Sequence, residues 1–124
     1  MNLVDSSGWL EYLSDGKNAS NFAETIENTD ELLVSVINIY EIYRKILKER
    51  DEKTALQIVG LMNQAKVIDV SSSIVMQAAK LSYELNIPMA GSIIYTTALV
   101  IGAVVWTQDS DFKGLESVKY FAKK

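Results

Sequence analysis

Four aspartates stand where apolar runs give way to polar residues. Asp5 follows "NLV", Asp69 follows "KVI", and Asp109 and Asp111 lie two apart in "TQDSDF" behind "AVVW". The chain contains no Cys and no His. That removes disulfides, thiolate nucleophiles, Cys/His zinc sites and every triad or acid–base scheme built on imidazole. Any metal must be held by oxygen, which points to Mg²⁺ or Mn²⁺ ahead of Ca²⁺. Carboxylates that converge repel one another and raise each other's pKa unless a cation sits among them.

Each acid also has a plain structural explanation. Asp5 can cap the helix that follows it. Asp69 suits a cap or an exposed turn. One of the pair Asp109 and Asp111 can bond neighbouring amides in an Asp-rich turn, less comfortably both. Glu41 lies at helical spacing opposite an apolar face, beside Asn38 and Lys45, where an i,i+4 pair with Lys45 is sufficient reason for it. A helix crossing the mouth of a sheet could instead aim that polar face at a site, and spacing leaves both readings open.

The elements that must position these residues alternate. "MNLVD" reads as a strand, "SSGWLEYLSDG" as a short helix closed by Gly16, and "ASNFAETIENTD" as a helix burying Phe22 and Ile26. "ELLVSV" is a buried strand. Ser35 then caps a helix whose apolar face holds Val36, Ile39, Tyr40, Tyr43, Ile46 and Leu47. A further amphipathic helix begins near Asp51, "KVIDV" is a third strand, and "SSSIVMQAAKLSYELN" is helical. After Pro88, residues 91–101 form a helix, "AVVWT" a strand, and "VKYFA" a short edge strand. Apolar strands alternating with helices predict a three-layer α/β/α sandwich around a mainly parallel sheet of four or five strands. Sites in such sheets lie beyond the carboxyl ends of the strands.

At 124 residues, 48% hydrophobic and 23% charged, the chain reads as one globular domain over residues 1–124. No apolar run approaches the roughly 20 residues of a membrane span, and the first residues do not resemble a secretion signal, so a cytoplasmic protein is the default expectation. The net charge of −4 carries no global nucleic-acid signal. Five of the twelve cationic residues nevertheless fall at Arg44, Lys45, Lys48, Arg50 and Lys53. Interleaved Glu49, Asp51 and Glu52 favour a solvated helix end over a phosphate-tracking surface. Tyr40, Tyr43 and Tyr95 suit a core or an interface, and Trp9 suits packing against a partner or a neighbour.

Taken together, "NLVDSSGWLEYL", "SVINIYEIYRKI" and "IPMAGSIIYTTALVIGAVVWTQDSDF" resemble the PIN-domain ribonucleases, in particular VapC-type toxins of toxin–antitoxin pairs. The resemblance covers essentially the whole chain in order. It implies an acidic Mg²⁺- or Mn²⁺-dependent endoribonuclease site, with Asp5, Glu41 and Asp109 as catalytic acids and metal ligands and Asp111 as an accessory ligand. It further implies Thr107 and Ser6 as supporting residues, RNA as substrate, a cognate antitoxin and a homodimer.

One member of the family's acidic quartet is missing. Where the family opens the helix after "IPMA" with an aspartate, this chain has Gly91, and the neutral hydroxyl of Ser92 is a poor substitute on a hard dication. Three explanations compete: an inactivating change in this copy, which we favour because "TQDSDF" is intact; a natural loss of activity with binding retained; or a site that works with three acids and water. The rival reading from another class is an inactive PIN-fold module that binds an antitoxin or RNA. A phospho-receiver domain is disfavoured, since "LVDSSG" lacks the adjacent acidic pair that fold requires.

Overall fold

The computed structural model describes all of residues 1–124. Five strands form one sheet in the order β3-β2-β1-β4-β5, every neighbouring pair parallel: β1 (Asn2–Val4), β2 (Leu32–Ser35), β3 (Lys66–Ile68), β4 (Val104–Thr107) and β5 (Val118–Tyr120). The expected mainly parallel sheet is thus wholly parallel and five-stranded. Helices α1 (Ser6–Leu13), α2 (Ala19–Glu27), α3 (Val36–Glu49) and α4 (Glu52–Met62) contribute to the core over one face, with α5 (Ser72–Leu85) and α6 (Met89–Ile101) on the other.

Strand alternation divides the interior. Val4, Leu32 and Val34 point into the first layer with Trp9, Phe22, Ile42 and Met62. Leu3, Leu33 and Val105 point into the second with Ile94, Tyr95, Ala98 and Phe112. Because both faces of the central strands are covered, they read as continuous apolar runs. β3 is less buried, as an edge strand can be. No single helix is long and apolar enough to cross a membrane.

Local expectations are corrected at three places. α1 ends at Leu13, and the left-handed residue beyond it is Asp15 (φ 53°), not Gly16. α6 starts at Met89, two residues before the expected residue 91, so Gly91 lies within its first turn. On α3, Ser35 is the cap as expected, but the buried residues are Asn38, Ile42 and Ile46, whereas Tyr40 is 64% exposed and Leu47 is 41% exposed. Trp9 packs inside its own chain's core, 1% exposed.

The order of the sheet places the site. The chain runs outward from β1 through β2 to β3, then returns to lay β4 on the opposite side of β1. The crossovers diverge between β1 and β4, the point at which parallel sheets open a crevice at their carboxyl ends. Asp5 directly follows the end of β1, and Thr107 is the last residue of β4.

Candidate active site

Asp5 is the N-cap of α1, its Oδ1 accepting the Ser6 amide at 2.7 Å. The cap explanation therefore holds, but it uses only one oxygen. Oδ2 accepts the hydroxyls of Ser7 (2.7 Å) and Thr107 (2.8 Å), the latter from the end of β4. The Asp5 amide donates to the Trp106 carbonyl at 2.9 Å, continuing the β1–β4 ladder into the site. The carboxylate is thereby fixed at the strand divergence, 5% exposed.

Glu41 reaches the same place from α3. Its Oε1 accepts the Ser6 hydroxyl at 2.7 Å, and that hydroxyl in turn accepts from Asn38 Nδ2 at 3.1 Å. Asn38 also accepts the Ser35 amide through Oδ1 at 3.0 Å, while Ser35 caps α3. One buried asparagine thus sets both the start of α3 and the hydroxyl that holds Glu41. The i,i+4 pairing of Glu41 with Lys45 does not form; Lys45 pairs with Glu49 at 3.0 Å.

Asp109 enters from the loop after β4. Its amide donates to Thr107 Oγ1 at 2.9 Å, and its Oδ1 accepts the Asp111 amide at 2.9 Å, so it caps the short turn Ser110–Phe112. Here too the turn explanation accounts for one carboxylate oxygen and leaves the other. Asp111 lies on the exposed side of that turn. Asp69 lies outside the cluster, exposed beyond β3, and Ser71 rather than Asp69 caps α5.

Asp5, Glu41, Asp109, Asp111, Ser6 and Gly91 line one pocket of about 270 Å³. Burial pushes the Asp5 carboxyl above the ordinary aspartate range, with the charge of Asp109 acting in the same direction. The hydroxyl bonds from Ser7 and Thr107 and the amide of Ser6 oppose this. Burial likewise raises Glu41; its Ser6 bond opposes this, and the charges of Asp5 and Asp109 add to it. Mutual repulsion shows that these three acids share one electrostatic neighbourhood.

The donor set is all oxygen, which suits a hard dication. No three acids come together closely enough to cage an ion by themselves. The residues fit Mg²⁺ in its usual mode: one or two carboxylates, several waters and a phosphate of the substrate.

Gly91 forms one wall of the pocket. A Cβ there would stand 3.1 Å from Phe112 Cζ and 3.4 Å from Ile87 Cγ2, so the tip of the Phe112 ring must yield by a few tenths of an ångström to admit a side chain. Phe112 is 1% exposed and packs on Tyr95, ring centroids 6.0 Å apart.

Sequence reasoning missed Ser7 and Asn38, the polar groups that orient the acids. Asn38 had a signal, since it stands three residues after a serine cap, where the reciprocal partner of a capping box belongs. Ser7 had only its nearness to Asp5.

Residues 3–117 match the family model described as PIN domain. No curated protein sequence matches the chain. Among solved structures, a toxin–antitoxin complex from Klebsiella pneumoniae superposes with a TM-score of 0.82 at 19% identity, covering 98% of this chain and 99% of that one. The VapC20 toxin of Mycobacterium tuberculosis, described as cleaving the sarcin–ricin loop, gives 0.78 at 13% identity over 95% and 97% of the two chains. VapBC2 from Rickettsia felis, bound to a promoter DNA fragment, gives 0.75 at 15% over 97% and 98%.

Proposed function

The chain belongs to the PIN-domain family, and from that premise we propose that it is a metal-dependent endoribonuclease of VapC toxin type, impaired in this copy by the glycine at position 91. The observation that carries the reading is the pocket itself. Asp5, Glu41 and Asp109 come from three separate elements to line one cavity at the divergence of β1 and β4. Such convergence has no use in stability, because burial and repulsion raise the free energy of the ionised acids.

In this reading Asp5, Glu41 and Asp109 hold Mg²⁺ or Mn²⁺ directly or through water, with Asp111 at the outer edge. Such an ion supplies an activated water nucleophile and charge neutralisation at the scissile phosphate. The protein's own residues supply position. Thr107 and Ser7 hold Asp5 in one rotamer, and Ser6, locked by Asn38, does the same for Glu41. Asp109 is oriented by the turn it caps. An acid at 91 would bring a further negative charge to the pocket from the first turn of α6. The partners that go with this reading are RNA, a cognate antitoxin and a second copy of the chain.

The test is the Gly91→Asp variant assayed for cleavage of RNA with Mg²⁺ or Mn²⁺, with a chelator as control. Cleavage is expected, lost in chelator and lost when Asp5→Asn is added. A folded Gly91→Asp protein that stays inert with either ion counts against the nuclease reading. A second reading, an inactive module retaining only its binding role, draws support from the position of Phe112, which a side chain at 91 would have to displace slightly, and from the absence of a closed three-acid cage. That reading predicts the inert outcome.

A further inference from the structure

A groove of about 460 Å³ lies beside the acidic pocket. The two adjoin, since Ser7 and Leu10 line both. Leu10, Leu13, Ile46 and Ile58 give the groove an apolar floor between α1, α3 and α4. Its rim carries three cations from three segments: Lys45 on α3, Arg50 at the α3–α4 junction and Lys123 on the C-terminal tail.

The charges on that rim are not equivalent. Glu11 faces the groove but spends one carboxylate oxygen on the Asn18 amide at 2.7 Å. Glu49 pairs with Lys45, both about half exposed, an interaction that is readily exchanged. Arg50 and Lys123 take part in neither of the chain's two ion pairs. In a protein of net charge −4, two uncommitted cations beside a pocket of carboxylates mark where an anion can approach without being repelled. Lys48 and Lys53, from the same run of cations in the sequence, do not line the groove. The structure has therefore sorted the cluster: some of its members face the site, and others face solvent.

We propose that this groove carries the RNA strand away from the scissile position, with Arg50 and Lys123 on backbone phosphates, Lys45 exchanging Glu49 for a third, and the apolar floor under sugars and base edges. The proposal deepens the nuclease reading and rests on it. An amphipathic peptide is the other occupant such a floor could take. RNA is favoured by the uncommitted cations and by the position of the groove next to the acidic pocket.

The experiment measures binding of a short, labelled single-stranded RNA of mixed sequence to the full chain in chelator, by fluorescence anisotropy across a salt titration. Arg50→Ala and Lys123→Ala are each expected to weaken binding and to lower the slope of log affinity against log salt by about 0.7, the value for one phosphate contact on a single strand. Lys48→Ala and Lys53→Ala are expected to leave the slope as in the parent. Equal effects from all four substitutions, or none from the groove pair, overturn the proposal, whether or not a peptide is later found to dock there. Circular dichroism of each variant separates lost binding from lost folding. The two readings fail separately. Inert Gly91→Asp with altered groove slopes rejects the nuclease and leaves the groove as an RNA-binding surface without a scissile position, whereas active Gly91→Asp with indifferent slopes rejects the groove alone.

Discussion

Asp5 and Asp69 begin from the same local pattern, an apolar strand ending in an aspartate, and finish with opposite fates. β1 is the central strand of five, and Asp5 is closed in by α1, by the end of β4 and by Glu41 arriving on α3. β3 is an edge strand, and Asp69 is exposed beyond it with Ser71 taking over the cap of the next helix. The residue type is identical and the neighbours differ. A strand-end carboxylate becomes part of a site only where the crossovers on its two sides diverge and leave a crevice to fill.

The comparison breaks most sharply on substitution of the aspartates themselves. In the Gly91→Asp background, Asp5→Asn should lower RNA cleavage by more than the roughly 100-fold upper end found for outer-shell partners of metal ligands. Asp5→Asn that cleaves as well as its parent would remove Asp5 from the reaction.

Next in size is Thr107→Val, which keeps the shape at the end of β4 and removes the hydroxyl joining Asp5 to the Asp109 amide. A loss of about 10- to 100-fold in cleavage or in Mn²⁺ affinity is expected. Activity and Mn²⁺ affinity both equal to those of the parent would make that hydroxyl ornamental.

A smaller effect concerns stability without metal. Asp5 and Glu41 have raised pKa values in the folded chain, so the folded state holds these protons more tightly than the unfolded one. Their contribution to stability is therefore greatest below the ordinary carboxylate range and falls as pH rises through the raised values. Glu41→Gln keeps an acceptor for the Ser6 hydroxyl and removes one charge. Its thermal midpoint in chelator should exceed that of the parent at neutral pH, and the gain on mild acidification should shrink. Unchanged midpoints across the pH series would contradict the repulsion inferred from the pocket.

The smallest effect is the control. Asp69→Asn should change stability by no more than about 0.5 kcal/mol and leave cleavage in the Gly91→Asp background unaltered, as for a surface substitution. A large loss at Asp69 would mean that the edge of the sheet takes part in the site after all.

Much of the fold was legible because it rests on local rules. Apolar strands between amphipathic helices are enough to predict a buried parallel sheet, and Ser35 announces α3 by its chemistry. The site was legible unevenly. Asp5 and Asp109 stand next to strands, so strand recognition located them. Glu41 does not, and the helical wheel turned it toward solvent and Tyr40 toward the core. The structure reverses both, because α3 is rotated to bury Asn38, Ile42 and Ile46. Hydrophobicity alone could not choose that rotation. Tyr40 and Leu47 are apolar enough to compete for the core, and the observed rotation also brings Asn38 to Ser6, 32 residues away in sequence.

From its residues alone, this protein was legible as a chain of parallel strands with acids at their ends that could offer a metal only oxygen ligands, because composition and periodicity act within a few neighbouring positions. Which acids meet, which way α3 turns, and which cations of one short run face the groove were decided by strand order and long-range hydrogen bonds. Those depend on segments that become neighbours only once the sheet has assembled.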